Sequence, residues 1–435
     1  MKLGSRKNST RLRQLKTLLA RCNRCGLCQP VCPSFIHSRH EGDSPRGRLA
    51  LLTAFCQGQL HDMAALHTCL RRCLDCGRCQ RACPAGLPVL QIFAVARSFF
   101  PAPRPRWQRL VLRGLLARPQ RMEVAWRLLR PLLPLLLHRD GAAGQTARLY
   151  WPGKRPGARY LPLPPAAPLP KQPKVQAETA VQGVAAASSD LAPVGRASAM
   201  RVAFFPGCLA DRILPELGRA CLAIFAQHQV EAILPHWACC GAPALRTGDM
   251  RAMQRMVSHN LQQLAGLTAH WLVTACPACA EHFGLWSEVP GLDSSQQALA
   301  RYWAGRTVEM STFVQHILKV EPLPASTGAV LPTVCHQPCR LPKNVDMSAL
   351  ARLAPQQEIL PLREADACCG GALFSLEEPA LSQRIGQRKR DFIVASGARR
   401  VVTGCPACVL QLRDLLARNR DRIEVRHWAE TYGSE

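Results

Sequence analysis

The chain is 435 residues long and 48% hydrophobic, which suits two or three globular domains and excludes a wholly disordered protein. Its formal charge of +27 is unevenly placed: residues 1–200 carry 32 Lys and Arg against 8 Asp and Glu, and residues 201–435 carry 24 against 21. Such a balance suits nucleic acid, an anionic membrane surface, an acidic partner or buried anionic clusters, so charge alone chooses none of them. The 22 cysteines stand out more sharply.

The N-terminal stretch MKLGSRKNSTRLRQLKTLLA is basic and lacks the apolar core and cleavage site of a secretory leader, so a cytoplasmic chain is expected. In that compartment abundant cysteine means metal or redox chemistry and not a disulfide framework. The longest apolar run, PLLPLLL at 131–137, is too short to span a bilayer.

Residues 1–100 hold ten cysteines between helix-like stretches. CNRCGLCQPVCP supplies Cys22, Cys25, Cys28 and Cys32 followed by Pro33, and CLDCGRCQRACP supplies Cys73, Cys76, Cys79 and Cys83 followed by Pro84. These are the runs of a two-cluster ferredoxin, in which three thiolates wrap one iron–sulfur cube and the fourth crosses to the other. One 4Fe–4S cluster is then expected on Cys22, Cys25, Cys28 and Cys83, and a second on Cys73, Cys76, Cys79 and Cys32. A pair of zinc sites would need neither the fourth cysteine nor the proline. Between the runs, SPRGRLALLTAF places Ser44 as a helix cap and Pro45 at the first helical position. Helices there predict an α-helical ferredoxin-like domain, with Arg46 and Arg48 at a solvated helix start.

Residues 101–140 form a basic, leucine-rich segment, expected as a helix docking on a partner or on anionic lipid, or simply packing with a solvated face. Residues 141–200 are rich in Pro, Ala and Gly and read as an extended linker.

From Arg201 the chain repeats itself. Cys239, Cys240, Cys276 and Cys279 recur 129 residues later as Cys368, Cys369, Cys405 and Cys408, and VTACPAC becomes VTGCPAC. Cys208 corresponds to Cys339 with a slip of two. An internal duplication is the plain reading, with one copy in 201–325 and the other in 326–435. Short apolar runs (RVAFF, HWLVT, ARRVVT) before several cysteines and amphipathic helices after them predict α/β domains with parallel sheets. The cysteines then sit beyond the strand ends, where ligands of open sheets gather.

Each repeat thus brings five soft ligands to one site: Cys208, Cys239, Cys240, Cys276 and Cys279 in the first, and Cys339, Cys368, Cys369, Cys405 and Cys408 in the second. Thiolates at this density select iron–sulfur or zinc over hard cations. Adjacent cysteines suit a multi-iron cluster because neighbours can bind different irons, with Gly241 and Gly370 letting backbone N–H groups approach the sulfur. The plainer alternative is packing of the pair as small apolar side chains. Cys56, Cys69, Cys221 and Cys335 are left over and are expected to be structural. His236 and His336, close to ligand cysteines in sequence, are expected to pack or hydrogen-bond.

The paired ferredoxin runs, EGDSPRGRLALL at 41–52, the two CCG repeats and VRHWAE at 425–430 together resemble the glycolate oxidase iron-sulfur subunit family over nearly the whole chain outside the linker. Similar architecture occurs in the anaerobic glycerol-3-phosphate dehydrogenase small subunit and in D-type heterodisulfide reductase subunits. The resemblance implies an electron-transfer subunit of a flavin-dependent 2-hydroxyacid dehydrogenase oxidising glycolate or D-lactate. It implies two 4Fe–4S clusters, further iron–sulfur clusters in the CCG domains, an FAD-binding partner subunit, and a quinone or other acceptor. Both repeats keep all five cysteines, whereas glycolate oxidase subunits often lack part of the CxxC. That keeps open the heterodisulfide reductase-like alternative, in which CCG cysteines bind noncubane clusters.

GxGxxG, P-loop and HExxH motifs are absent from the sequence. Hydride chemistry is therefore expected on the flavoprotein partner, leaving this chain without catalytic residues of its own. A basic zinc-containing nucleic-acid-binding protein is the rival class, opposed by few aromatics and no finger or helix-turn-helix pattern. The expected location is the cytoplasm, with peripheral contact on the inner face of the cytoplasmic membrane as a further option.

Overall fold

The described residues between 201 and 433 fold as two copies of one topology. The computed structural model describes residues 6–60, 62–99, 106–129, 131, 137–139, 146–149, 160–162, 200–322, 330–371 and 377–433. In the first copy, strands β4 (Arg201–Phe205), β5 (Glu231–Ile233), β6 (Trp271–Thr274) and β7 (Thr307–Glu309) lie in the order β5-β4-β6-β7. In the second, β8 (Leu331–His336), β9 (Gln357–Leu360), β10 (Arg400–Thr403) and β11 (Glu424–His427) lie in the order β9-β8-β10-β11. Every pairing is parallel. Parallel strands need crossovers, and the amphipathic helices Pro215–Gln227, Met250–Leu264 and Pro379–Ala395 supply them.

The two repeats share one hydrophobic core. Phe225 of the first repeat meets Phe313 edge-on, with centroids 5.7 Å apart. Trp428, just after β11, donates its indole N–H to Ser311 Oγ at 2.8 Å, burying a polar handle that would otherwise be unsatisfied.

The N-terminal region is helical: α1 (Arg6–Ala20), α2 (Pro33–Ser38), α3 (Pro45–Cys56), α4 (Met63–Arg71), α5 (Arg78–Arg81) and α6 (Val89–Phe99). Its core is a cluster of Leu15, Leu52, Leu66, Leu70, Ile92 and Phe93, separate from that of the repeats. Ser44 caps α3 by accepting from Gly47 N at 2.8 Å, with Pro45 at the first position as the sequence suggests. Gly47 is required by space, since a Cβ there would lie 2.0 Å from the Glu41 carbonyl oxygen. The solvated helix start expected for both arginines holds only for Arg46, which pairs with exposed Glu41. Arg48 is buried: its Nε donates to Cys69 O at 2.7 Å and its Nη2 lies 3.9 Å from the buried Asp43. A charge inside this small core is tolerated because both its partners are inside with it.

The basic segment is helical over α7 (Arg106–Leu110), a π-helical turn at Val111–Leu116 and α8 (Pro119–Leu129). It packs on the first repeat: Leu112 is buried, Leu116 O accepts from Cys239 N at 3.1 Å, and Arg113 makes a two-pronged contact with Asp249 at 2.8 and 3.1 Å. Strands β1 (Leu137–Arg139), β2 (Thr146–Leu149) and β3 (Tyr160–Pro162) form an antiparallel sheet in the order β1-β2-β3. Two of these strands fall where an extended linker was expected; the remainder of 141–199 lies outside the described residues. Pairing supplies the backbone hydrogen bonds that an extended chain would leave to water.

Candidate metal centres

The two ferredoxin runs have the same backbone plan. Arg24 and Gly26 in the first, and Asp75 and Gly77 in the second, are all left-handed, with φ between 54° and 83°. Each loop therefore coils tightly, and only glycine adopts that conformation freely. Cys28 has Cys22 and Cys25 within electrostatic reach. Cys79 has Cys76, Cys73, Cys32 and Cys28. Cys32, from the first run, thus comes beside the second run. Cys83 is half-buried in the apolar cluster that also takes in Cys22 and Cys28 of the first run and Cys73 and Cys79 of its own. Burial pushes the Cys73, Cys76 and Cys79 thiols up; Asp75 adds to it at Cys73, and neighbouring sulfurs add to it at Cys76 and Cys79.

In the repeats, Cys208 and Cys339 follow β4 and β8 by three residues, and Cys276 and Cys405 follow β6 and β10 by two. Cys276 and Cys405 precede helices that open with Pro277 and Pro406, and each carbonyl accepts from within the first turn. The adjacent pairs are held by unlike devices at matched positions. Asn260, fully buried, clamps Ala238 N at 2.8 Å and Cys239 O at 3.2 Å. Its counterpart 129 residues on is Lys389, whose buried ammonium donates to the Glu364 and Ala365 carbonyls. Burial brings the Lys389 pKa down to about 8, against the pull of Cys369 and Cys368.

The ten cysteines of the repeats form one string. Neighbouring thiols follow one another in the order Cys208–Cys239–Cys240–Cys279–Cys276 through the first repeat. They cross to the second at Cys276–Cys405 and continue Cys408–Cys369–Cys368–Cys339. The Cys369–Cys408 sulfurs are 3.5 Å apart. Cys240 is pulled down by S–H groups of Cys239 and Cys279, Cys276 by those of Cys279 and Cys405, and Cys369 by those of Cys368 and Cys408. The string ends beside the ferredoxin region, where Cys339 and Cys368 share a small cluster with Cys76. The two pentads adjoin at Cys276 and Cys405, where the repeats share their core.

Gly370 has φ +77°, and a Cβ there would meet Ser382 O at 2.5 Å; its N–H points to Cys368 Sγ at 3.3 Å. Soft thiols in mutual contact, closed off from water and met by a backbone N–H, fit iron–sulfur centres: the thiolates such centres need are costly here without a cation.

Several functional residues gave no sequence signal. Asp75, between Cys73 and Cys76, receives Arg97 Nη1 at 2.9 Å and Arg246 Nη1 at 3.1 Å on its carboxylate, and Arg340 Nε on its carbonyl at 2.9 Å. Burial alone would raise its pKa, but Arg97, Arg246 and Arg340 outweigh it and hold the carboxylate well below its usual range. Arg81 donates to Cys339 O at 2.7 Å and Arg78 to Asp366 O at 2.8 Å. These arginines come from distant points of the chain, so no spacing rule could have found them. Of the leftover cysteines, Cys221 and Cys335 are core residues, Cys335 donating to Met347 O at 3.6 Å. Cys56 and Cys69 are half-buried.

Residues 18–87 match the family of 4Fe-4S dicluster domains, and residues 202–284 and 333–413 each match the CCG cysteine-rich domain. The chain is 25% identical over 413 residues to a probable glycolate oxidase iron-sulfur subunit of Bacillus subtilis, covering 91% of this chain and 88% of that one. It is 28% identical over 240 residues to lactate utilization protein A of Shouchella clausii, covering 54% of this chain and all of that protein. It is also 26% identical over 231 residues to one of the subunits of a fumarate reductase (CoM/CoB) from Methanothermobacter marburgensis, covering 51% of this chain and 44% of that one. Among the described residues no helix is long and apolar enough to cross a membrane. The chain is an iron–sulfur electron-transfer subunit, a homologue of the glycolate oxidase iron-sulfur subunits with one dicluster 4Fe–4S domain and two cysteine-rich domains.

Proposed function

We propose that this chain serves a flavin-dependent 2-hydroxyacid dehydrogenase acting on glycolate or D-lactate. Substrate oxidation belongs to a separate FAD-binding subunit, and a quinone or comparable carrier is the final acceptor. The observation that carries the reading is the burial of both pentads in one shared core, with Cys339 and Cys368 packed in a small cluster beside Cys76 of the ferredoxin region. In this reading Cys22, Cys25, Cys28 and Cys83 hold one 4Fe–4S cluster, and Cys73, Cys76, Cys79 and Cys32 hold the other. The two pentads hold multi-iron centres. When bound, such centres take up and release electrons singly. The chain's own residues hold the thiolates, keep water out, and brace the Cys73–Cys76 loop through Asp75.

The test is Cys369→Ser in the complex with a co-expressed flavoprotein. Iron content should fall and acceptor reduction should drop at least about tenfold, the loss expected when one link of a relay is removed. Flavin reduction by substrate should persist, because that chemistry is on another chain. Full iron content with normal acceptor reduction would reduce the cysteine pair to a packing motif. A second reading, a heterodisulfide reductase-like subunit, is favoured by the complete five cysteines in both repeats. Reduction of a thiol-cofactor disulfide by the chemically reduced protein, with no response to hydroxyacid, would establish it in place of the first.

The basic segment adds a place for the complex. Leu110, Val124, Leu128 and Leu129 are exposed on α7 and α8 beside exposed Arg109, Arg121 and Arg127. Apolar and cationic side chains interleaved in this way suit the headgroup region of an anionic bilayer. Arg113 takes no part, being bound to Asp249.

A further inference from the structure

We propose that His336 is itself a metal ligand, giving the centre of the second repeat a mixed cysteine–histidine donor set that the first repeat lacks. The inference deepens the iron–sulfur reading of the pentads and rests on it.

His336 ends β8 and is completely buried. A ring nitrogen of His336 and the sulfurs of Cys369 and Cys408 lie within 4.8 Å of one another, close enough for three ligands of one metal centre. The tautomer follows from the neighbours. Nδ1 is 3.1 Å from Ala365 O, and a carbonyl oxygen can only accept, so Nδ1 carries the proton. The same carbonyl also accepts from Gln337 N at 3.0 Å and Lys389 Nζ at 3.2 Å, which fixes it as an acceptor. In the neutral ring the lone pair is therefore on Nε2, which is shut away from water and has the Cys369 thiol as its neighbour. A backbone carbonyl on one ring nitrogen with the other left free is how proteins orient a metal-bound imidazole.

Comparison of the repeats removes the simplest alternative, that the fold needs this ring for packing. In the parallel registers His336 stands opposite Thr403, and Phe205 stands opposite Thr274, 129 residues earlier. The first repeat thus fills the same place with a phenyl ring, packed edge-on against Trp237 and Phe283 at 5.2 and 5.0 Å. An apolar ring satisfies the architecture; the imidazole brings only its nitrogens. His282, in the first repeat, comes from a different place, the helix Pro277–Phe283 that also carries Cys279; it is buried near Cys240 with Nδ1 unpaired, but among the described residues it joins no three-ligand grouping. Neutral imidazole in place of thiolate raises the reduction potential of an iron–sulfur centre, as in Rieske proteins. The two pentads are then unequal, and the second is the more readily reduced.

The experiment uses the full chain, prepared anaerobically with and without 15N-histidine. Iron and sulfide are counted, and hyperfine spectra of the reduced protein are recorded. A strongly coupled histidine nitrogen is expected in the unsubstituted protein, unchanged in His282→Gln and lost in His336→Gln. His336→Cys should keep its iron, lack the coupling and show one centre shifted to lower potential. If His336→Gln loses iron, recovery in His336→Cys but not in His336→Phe supports ligation, and equal loss in both overturns it. A coupling that survives in His336→Gln, or a full complement of iron with no coupled nitrogen, overturns the inference and leaves the iron–sulfur reading standing. About eight irons or fewer in the unsubstituted chain, the content of two 4Fe–4S clusters alone, would overturn the reading of the pentads and this inference with it.

Discussion

Arg246 reaches from the first cysteine-rich repeat to Asp75 in the second ferredoxin run, Nη1 to Oδ2 at 3.1 Å, and the same nitrogen donates to Cys73 O at 2.7 Å. Its Nε is bound to Glu377 Oε2 of the second repeat at 2.9 Å. One nearly buried guanidinium therefore ties three parts of the chain together beside a candidate ligand. Arg97 and Arg340 complete the set around Asp75, one from the ferredoxin region and one from the second repeat.

Arg246→Met is expected to destabilise the folded chain by about 3 kcal/mol, because it leaves buried acceptors unpaired. Asp75→Asn should be similarly costly, and the double variant should cost clearly less than the two added together. Thermal or denaturant unfolding of the four proteins measures this. Additive losses would mean that the two groups act independently.

Cys83→Ser tests the crossed ligand sets. The cluster of Cys22, Cys25 and Cys28 should be damaged, although Cys83 is closer in sequence to Cys79. Electron paramagnetic resonance of the variant decides it, and loss confined to the Cys73, Cys76 and Cys79 cluster would exclude the crossing.

Gly370→Ala should be among the most damaging single-methyl changes in the second repeat. The backbone is left-handed at φ +77°, and the new Cβ would lie 2.5 Å from Ser382 O. Strain and overlap together are expected to cost about 2–4 kcal/mol, with iron lost from the site. Gly397→Ala, left-handed at φ +73° with nothing within 4 Å, separates conformational strain from overlap and should cost about 1 kcal/mol.

His427, fully buried at the end of β11, has its pKa pushed by burial down to about 3, from 6.5. The unfolded chain therefore binds a proton that the folded chain refuses. This group's contribution is fully present above pH 6.5 and is lost progressively as pH falls towards 3. His427→Asn, which can still cap the following turn, should flatten the decline in melting temperature between pH 6.5 and 5. Parallel melting curves for the two proteins would exclude His427 as the source.

Charge reversal at Arg109, Arg121 and Arg127 should weaken flotation with anionic vesicles, most strongly at low salt, where screening is least. Neutral vesicles serve as the control. Unchanged flotation at low salt would rule out membrane docking through this face.

Much of the chemistry was legible in the cysteine spacing alone, because tight ligand loops are local: Cys22 to Cys28 and Cys73 to Cys79 each need only about seven residues of chain to wrap three thiols on a cluster. The duplication was equally visible, since a parallel-sheet repeat keeps its strand-end cysteines at a constant offset. Both repeats indeed fold with the same strand order. The tertiary structure alone decided how these local units meet. Cys276 meets Cys405 and Cys76 faces Cys339 because the repeats share one core and the ferredoxin region sits on its rim. The arginines around Asp75 and the ring of His336 belong to that second kind of information. A buried charge or a bare ring nitrogen is defined by what surrounds it, and for Asp75 and His336 those surroundings come from segments tens to hundreds of residues away.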